Sequence, residues 1–395
     1  MRKIGSMSSR LMRSQVQGQE PTPEVTFSSE VKNASPSVPP SAPALGERTG
    51  SPPALGLGRA SSWRVKSGTF KTKKPSCTKQ DLAALCHQLK NVRESKVMEL
   101  LEPGYLATIE FDNKGLSMDE IHLAAVIMLE HSAPMFAFSD RIGLQSLFDF
   151  VSSVRKVYQS NPYHDFRHAV DVMQFTNFMF HREDVKAIIH DLEDEGTRFT
   201  ALVACLCHDA GHDGLTNAIH RKLPNDALVA KFGQESPLER LHFDHCQRLV
   251  LESSLLQISG LDQAQFVAQC KQLILGTDME KHSALMGSFK ANPSNYLLQM
   301  IVKIADISNV TRDFEEARTW SKRLDAEMKA HPGAAPSTIT MAQSVTGFAK
   351  LFALPLACAV TEACLPETGR MLQSRIESNN DMWLRVDTGS SNPGL

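Results

Sequence analysis

Two imidazoles and two carboxylates fall within six positions of the chain, in Cys205-Leu206-Cys207-His208-Asp209-Ala210-Gly211-His212-Asp213-Gly214. The stretch closes an apolar run from Phe199 to Leu206. Imidazole nitrogens and carboxylate oxygens are hard-to-borderline donors, and a dry wall behind them strengthens their pull on a cation. Alone, the stretch reads equally well as a solvated polar helix end. Its partners decide.

Four further clusters supply them. His164 and His168 are four apart and share one helical face. Glu239 and His242 are three apart, with His245 three further on. Thr277-Asp278-Met279-Glu280-Lys281-His282 follows. Finally, Asp306 interrupts a largely apolar helix between Leu297 and Ile307, where a carboxylate is costly unless paired or bound to a cation. Each pair by itself reads as surface imidazoles or solvated charge. Five clusters on five helices point instead to one metal-lined pocket.

The elements that must position these residues are helical. Leu82, Leu85, Leu89 and Val92 recur at helical spacing. Ser117, with Glu120 three residues on, predicts a capping box. Asn161-Pro162 breaks one helix and starts the next. Helical patterns continue at 197–207, 238–252, 262–275, 295–307, 312–331 and 342–365. No stretch alternates as a strand does, and no repeat is present. The fold class expected is all-α, a single large multi-helix bundle domain.

Composition sets the outer limits. The chain has 395 residues, of which 42% are hydrophobic, enough for a sizeable core. Net charge is −2, which argues against a general nucleic-acid binder. The charge is uneven. Residues 1–75 hold twelve Lys/Arg against four Glu, leaving thirty against forty elsewhere. They also hold nine of the twenty Pro. Such a segment buries too little apolar surface to offset its ordering entropy. The expected organisation is a disordered basic tail over 1–75, a folded domain over 76–386 and a frayed end over 387–395. The tail's basic run, Arg64 to Lys74, is a candidate for regulatory or anchoring contacts. No uninterrupted apolar run approaches the roughly 20 residues of a membrane span. The eight Cys show no CxxC pair, which fits reduced thiols and a cytoplasmic setting.

The order His168, His208-Asp209, Asp306 resembles the HD-type metal phosphohydrolases. Longer strings narrow it. Asn161-Pro162-Tyr163-His164-Asp165-Phe166-Arg167-His168-Ala169-Val170-Asp171-Val172 resembles the signature of class I 3′,5′-cyclic-nucleotide phosphodiesterases, as does His208-Asp209 through Asn217. Leu238-Glu239 with His242, Thr277 to His282, and Ala305-Asp306-Ile307-Ser308-Asn309 follow in that family's order.

The resemblance implies hydrolysis of cAMP or cGMP to the 5′-monophosphate at two divalent metals. His168, His208, Asp209 and Asp306 match the ligands of a tight site, typically zinc. Asp209 also matches the carboxylate that touches a second ion, magnesium or manganese, whose waters are held at positions matching His212, Glu239 and Thr277. His164 matches the general acid. Tyr163, Asn309, Trp320, Ser321, Leu324 and Phe348 match a purine pocket. Three departures stand out. Val345 occupies the place of the family's purine-binding Gln, with Gln343 two residues earlier as its candidate substitute. Asp165 stands where Asn commonly follows the first His, and Arg240-Leu241 where Asn-His is frequent. Other HD-type phosphohydrolases, and a catalytically weak nucleotide- or partner-binding relative, are the competing readings.

Overall fold

The capping box expected at Ser117 is present: Ser117 Oγ accepts from Glu120 N–H, and the Glu120 carboxylate accepts from Ser117 N–H. It opens α1 (Met118–Ser132), the first long helix of the fold. The protein is described here by a computed structural model covering residues 84–102, 104–133, 141–189, 195–331 and 338–387. The expected tail at 1–75 lies outside the described residues. Every described residue belongs to one compact unit, and no strand occurs among them.

After α1 come α2 (Arg141–Val157), α3 (Phe166–Phe180), α4 (Glu195–Cys207), α5 (Pro237–Glu252), α6 (Gln263–Leu275), α7 (Pro293–Asp306) and α8 (Phe314–Lys329). α9 (Met341–Phe348) runs through a widened turn at Ala349–Ala353 into α10 (Leu354–Ala363), and α11 (Pro366–Asp387) closes the fold. Helix α11 reaches one residue into the segment expected to fray, and 388–395 lie outside the described residues. Shorter helices, such as Asn217–His220, Ala227–Phe232 and His282–Ala291, fill the connections.

Helices α3 and α4 pack on each other at the centre, flanked by α1, α6 and α7. The sequence dictates this. Both are buried on nearly all sides: Val170, Val172, Met173, Phe175, Met179, Phe199, Leu202, Val203 and Leu206 are fully buried, and in α3 the polar Asp171, Gln174 and Asn177 are buried with them. A helix with so many large apolar residues has no place at a surface. Burying such side chains stabilises the fold by roughly 1.5–3 kcal/mol each relative to leaving them exposed. The chemistry-bearing residues lie at the ends of these central helices. His208 follows the last residue of α4, Asp306 ends α7, and His168 stands in the first turn of α3. The chain therefore delivers polar groups to a point that is already dry.

The continuous helical run Met341–Ala363 has a mean hydropathy of 1.5 over its most apolar window, long and apolar enough by composition to cross a membrane. The run is not uninterrupted, since Gln343, Ser344, Thr346 and Lys350 fall within it. In this fold Ala342, Thr346, Ala349, Ala353, Leu356, Ala357, Ala359 and Val360 are buried against the domain, while Lys350 is exposed. The widened turn has a local cause. Pro355 lacks an N–H and its ring clashes with the carbonyl four residues back. Leu354 N–H accordingly reaches Ala349 O, five residues back. The seven described cysteines outside the tail are free thiols.

Candidate metal and catalytic centre

His168, His208, Asp209 and Asp306 converge. His168 Nε2 lies 3.6 Å from Asp209 Oδ2 and 3.5 Å from Asp306 Oδ1. His208 Nε2 lies 3.1 Å from Asp209 Oδ2 and 3.2 Å from Asp306 Oδ1. The tautomer of His208 follows from its other nitrogen. Nδ1 is 2.8 Å from Cys205 O, and a carbonyl only accepts, so Nδ1 carries a proton and Nε2 is the nitrogen that would offer a lone pair to a cation. His242 repeats the logic, with Nδ1 donating to Ala210 O at 2.9 Å and Nε2 3.7 Å from Asp209 Oδ1.

Lone pairs that face carboxylate oxygens repel unless positive charge stands between them. His168 Nε2, His208 Nε2 and Asp209 Oδ2 are all buried without a hydrogen-bond partner, a costly arrangement for a folded protein. A divalent cation removes the cost. An ion bonded at about 2.0–2.1 Å to each of four donors in a tetrahedron spaces neighbouring donors about 3.3–3.4 Å apart. The four nitrogen–oxygen separations bracket that value, so the residues fit a metal. Field and geometry agree. Burial disfavours charge on His208, yet Asp209 and Asp306 outweigh it and raise its pKa well above the ordinary imidazole value. Asp209 is likewise held well below the carboxylate range by His208 and His164, against its burial. Such a pocket demands a cation. Helices α4 and α7 both end at this cluster, and a helix C-terminus favours positive charge.

His164 stands beside this cluster. Its ring stacks on His212 with centroids 4.0 Å apart at 12°. Nδ1 is hydrogen-bonded to Glu327 Oε1. Glu327 Oε2 accepts from Tyr163 N–H at 2.8 Å and from His164 N–H at 3.0 Å. Burial opposes protonation of His164, but Asp209 and Glu327 prevail and raise its pKa. His212 behaves oppositely. Burial and His164 push its pKa well down. Its Nδ1 accepts from Gly214 N–H at 2.9 Å, which leaves the proton on Nε2. His212 thus presents a donor, suited to holding a water rather than a metal. The turn that carries it needs glycine at Gly211, whose φ is +82° and where an added Cβ would lie 2.6 Å from His245 Nε2. Asn161 Nδ2 ties the two loops together, donating to His164 O at 2.9 Å and His212 O at 2.7 Å.

The remaining expected residues are placed as follows. Glu239 accepts from Asn217 Nδ2 at 2.9 Å, and burial with Asp278 nearby pushes its pKa up to about 7. Thr277 is buried, with its hydroxyl on Ile274 O at 2.8 Å. Tyr163 packs its ring on His168 at 4.6 Å and on Trp320 at 5.5 Å. Asn309 lies half-buried in the turn Ser308–Thr311, directly after α7. Ser321 is buried beside Trp320 on α8. Phe348 stacks on Phe352 at 5.2 Å. Gln343 is exposed and its carbonyl oxygen accepts from Thr340 N–H at 3.1 Å, in a capping box that opens α9. Among the described residues neither Phe348 nor Gln343 makes a hydrogen bond or ring contact with the histidine cluster.

Two participants escaped the sequence analysis. Glu327 is one; its signal was a carboxylate seven positions after Trp320, on the same face of α8. Lys303 is the other in role. It is fully buried, and Nζ donates to Thr277 O. Its signal was a lysine inside the apolar part of α7.

The sequence pattern of the family "3'5'-cyclic nucleotide phosphodiesterase" matches residues 163–375, more than half of the chain. The chain belongs to this family. Among its curated relatives are a protein of Dictyostelium discoideum named cGMP-specific 3',5'-cGMP phosphodiesterase 3 and the human high affinity cGMP-specific 3',5'-cyclic phosphodiesterase 9A. The first is 26% identical over 72% of this chain and 65% of its own length. The human protein is 29% identical over 56% of this chain and 41% of its own. The chain thus spans less than two thirds of these relatives. The phosphodiesterase domain of Salpingoeca rosetta rhodopsin phosphodiesterase shares the fold, with a TM-score of 0.63 and 23% identity over 73% of this chain and 94% of that one. The matched residues include His164, His168, His208, Asp209 and Asp306.

Proposed function

We propose that the protein hydrolyses a 3′,5′-cyclic nucleotide, cAMP or cGMP, to the 5′-monophosphate. The observation that carries this reading is the juxtaposition of a four-donor metal cradle with a carboxylate-bound imidazole. On this reading the catalytic domain occupies roughly 76–386. His168, His208, Asp209 and Asp306 would hold a first divalent ion, zinc by the donor set. Asp209 would also serve a second, magnesium or manganese, whose waters His212, Glu239 and Thr277 would hold. Two such ions would supply electrophilic activation of phosphate and water.

The chain's own residues do the rest. His164, its pKa raised by Asp209 and Glu327, keeps Nδ1–H on Glu327 and in its protonated form delivers its Nε2 proton to O3′ as the P–O3′ bond breaks. His212 offers its Nε2–H to the attacking water. Tyr163, Asn309, Trp320 and Phe348 line the nucleoside side. The weakly catalytic alternative gains no support from these observations. The test is turnover of cAMP and cGMP by the purified chain with Mg²⁺ or Mn²⁺. Formation of the 5′-monophosphate is expected; a metal-loaded protein that converts neither nucleotide overturns the reading.

A further inference from the structure

We propose that the Asp165–Arg323 ion pair is a positioning device for His164. The inference rests on the reading of His164 as the general acid. Arg323 stands on α8, three residues after Trp320 and four before Glu327, so all three share one face. Its Nη2 meets Asp165 Oδ2 at 2.5 Å and its Nε donates to Pro162 O at 2.6 Å. Its guanidinium carbon lies 4.7 Å from the Trp320 ring centroid. One turn on, Glu327 takes the backbone N–H groups of Tyr163 and His164. Two neighbouring side chains of α8 therefore hold the segment 162–165, Arg323 at its ends and Glu327 in its middle.

Asp165 has a second attachment. Its Oδ1 accepts from His168 N–H at 3.0 Å and caps α3. One carboxylate thus joins the general-acid loop, the helix that carries a metal ligand, and α8. Arginine suits the task because its planar fork serves two acceptors at fixed angles while its face stacks on an indole, which lysine does not do. Side-chain exposure is 24% for Arg323 and 16% for Asp165, so salt screens the pair less than an open surface bridge. Without the guanidinium, Asp165 would lose its hydrogen-bonded partner and keep only the longer-range attraction of Arg167.

The test uses the full chain with metals bound, comparing Arg323→Met, Arg323→Lys, Asp165→Asn and the double variant Arg323→Met/Asp165→Asn. Arg323→Met is expected to lower kcat roughly ten- to a hundredfold with KM within about twofold and metal content unchanged. Asp165→Asn keeps a good N-cap but breaks the ion pair, so the double variant should lose about as much as Arg323→Met alone, the two losses not adding. Backbone deuterium uptake over 163–166 should rise in Arg323→Met and stay raised in the double variant. An unchanged kcat in Arg323→Met, or a double variant restored to the wild-type kcat, overturns the proposal. Should Arg323→Met fold poorly, Arg323→Lys keeps charge but loses the fork, and faster exchange over 163–166 with native thermal stability is then expected. Wild-type protein that turns over neither nucleotide would refute the functional reading alone. Deuterium uptake would still decide the grip, and unchanged uptake in both Arg323 variants would refute it.

Discussion

His164 and Glu327 are 163 positions apart in sequence and meet through a hydrogen bond from imidazole Nδ1 to the carboxylate. The bond fixes which nitrogen faces the metal cradle and supports the charged form of the ring. Glu327→Gln should therefore slow turnover by at least about tenfold, up to the roughly 10²–10⁴ that a positioned acid supplies. Metal content should stay at the wild-type level. The alkaline limb of the kcat profile should move to lower pH, because the raised His164 pKa loses one of its supports. Steady-state kinetics across pH with parallel metal analysis check this, and an unshifted limb with full kcat would show that Glu327 does not act on His164.

Asp209 and His164 should separate cleanly when each is removed. Asp209 touches His168, His208 and His242 through two oxygens, so Asp209→Ala should lose tightly bound metal and activity together. His164→Ala should keep the metal and lose roughly 10²–10⁴ in kcat. Elemental analysis after gel filtration, paired with turnover, reads both. Metal retained in Asp209→Ala would mean that the cradle is not the binding site.

Two of the candidate ligands were legible in the sequence because each is a polar group inside or at the end of an apolar run, and that contrast survives without coordinates. Asp306 in α7 and His208 at the end of α4 are of this kind. Helix α1 was legible through its capping box at Ser117 and Glu120. The tertiary partners were not. Glu327 and Arg323 lie on α8, whose exposed face is rich in charge, so two more charged residues carried no contrast. Only the crossing of α8 over the 162–165 loop gives them meaning. The capping box at Thr340 and Gln343 was missed for a related reason. Gln343 was read for a side-chain contact with ligand, whereas backbone satisfaction at a helix start claims its carbonyl first.

His122 carries the clearest acid-stability prediction outside the metal centre. It is buried on α1 against Phe148, with centroids 4.5 Å apart, and burial with Arg155 nearby pushes its pKa down to about 4. The unfolded chain has an ordinary imidazole near 6.5 and takes up the proton first. Stability is therefore complete above about pH 6.5, falls as pH drops towards 4, and levels off below. The full loss is on the order of 3 kcal/mol. Urea unfolding of wild type and His122→Leu at pH 7.5, 6.0 and 5.0 measures it. The difference in stability between the two proteins should change in favour of the variant as pH falls, and parallel curves would refute the assignment.

Val345 provides the corresponding test at the nucleoside end. It is half-buried and packed on the core, and it stands where the family's amide reads the purine edge. Its neighbours offer no replacement in this conformation. The Gln343 carbonyl is committed to Thr340 N–H, and the Thr346 hydroxyl donates to Ala342 O at 2.8 Å. On the proposed function, a purine base would then be held by stacking and shape, without a side-chain amide. Val345→Gln adds two hydrogen-bonding groups to one face of the pocket, and a net hydrogen bond is worth roughly 0.5–1.5 kcal/mol. KM should accordingly fall about two- to tenfold for at least one of cAMP and cGMP, with kcat little changed. Gln343→Ala should leave KM unaltered, since its side chain serves the helix start. A rise in KM on Gln343→Ala, with no gain from Val345→Gln, would assign the purine contact to Gln343 and require α9 to rearrange when nucleotide binds.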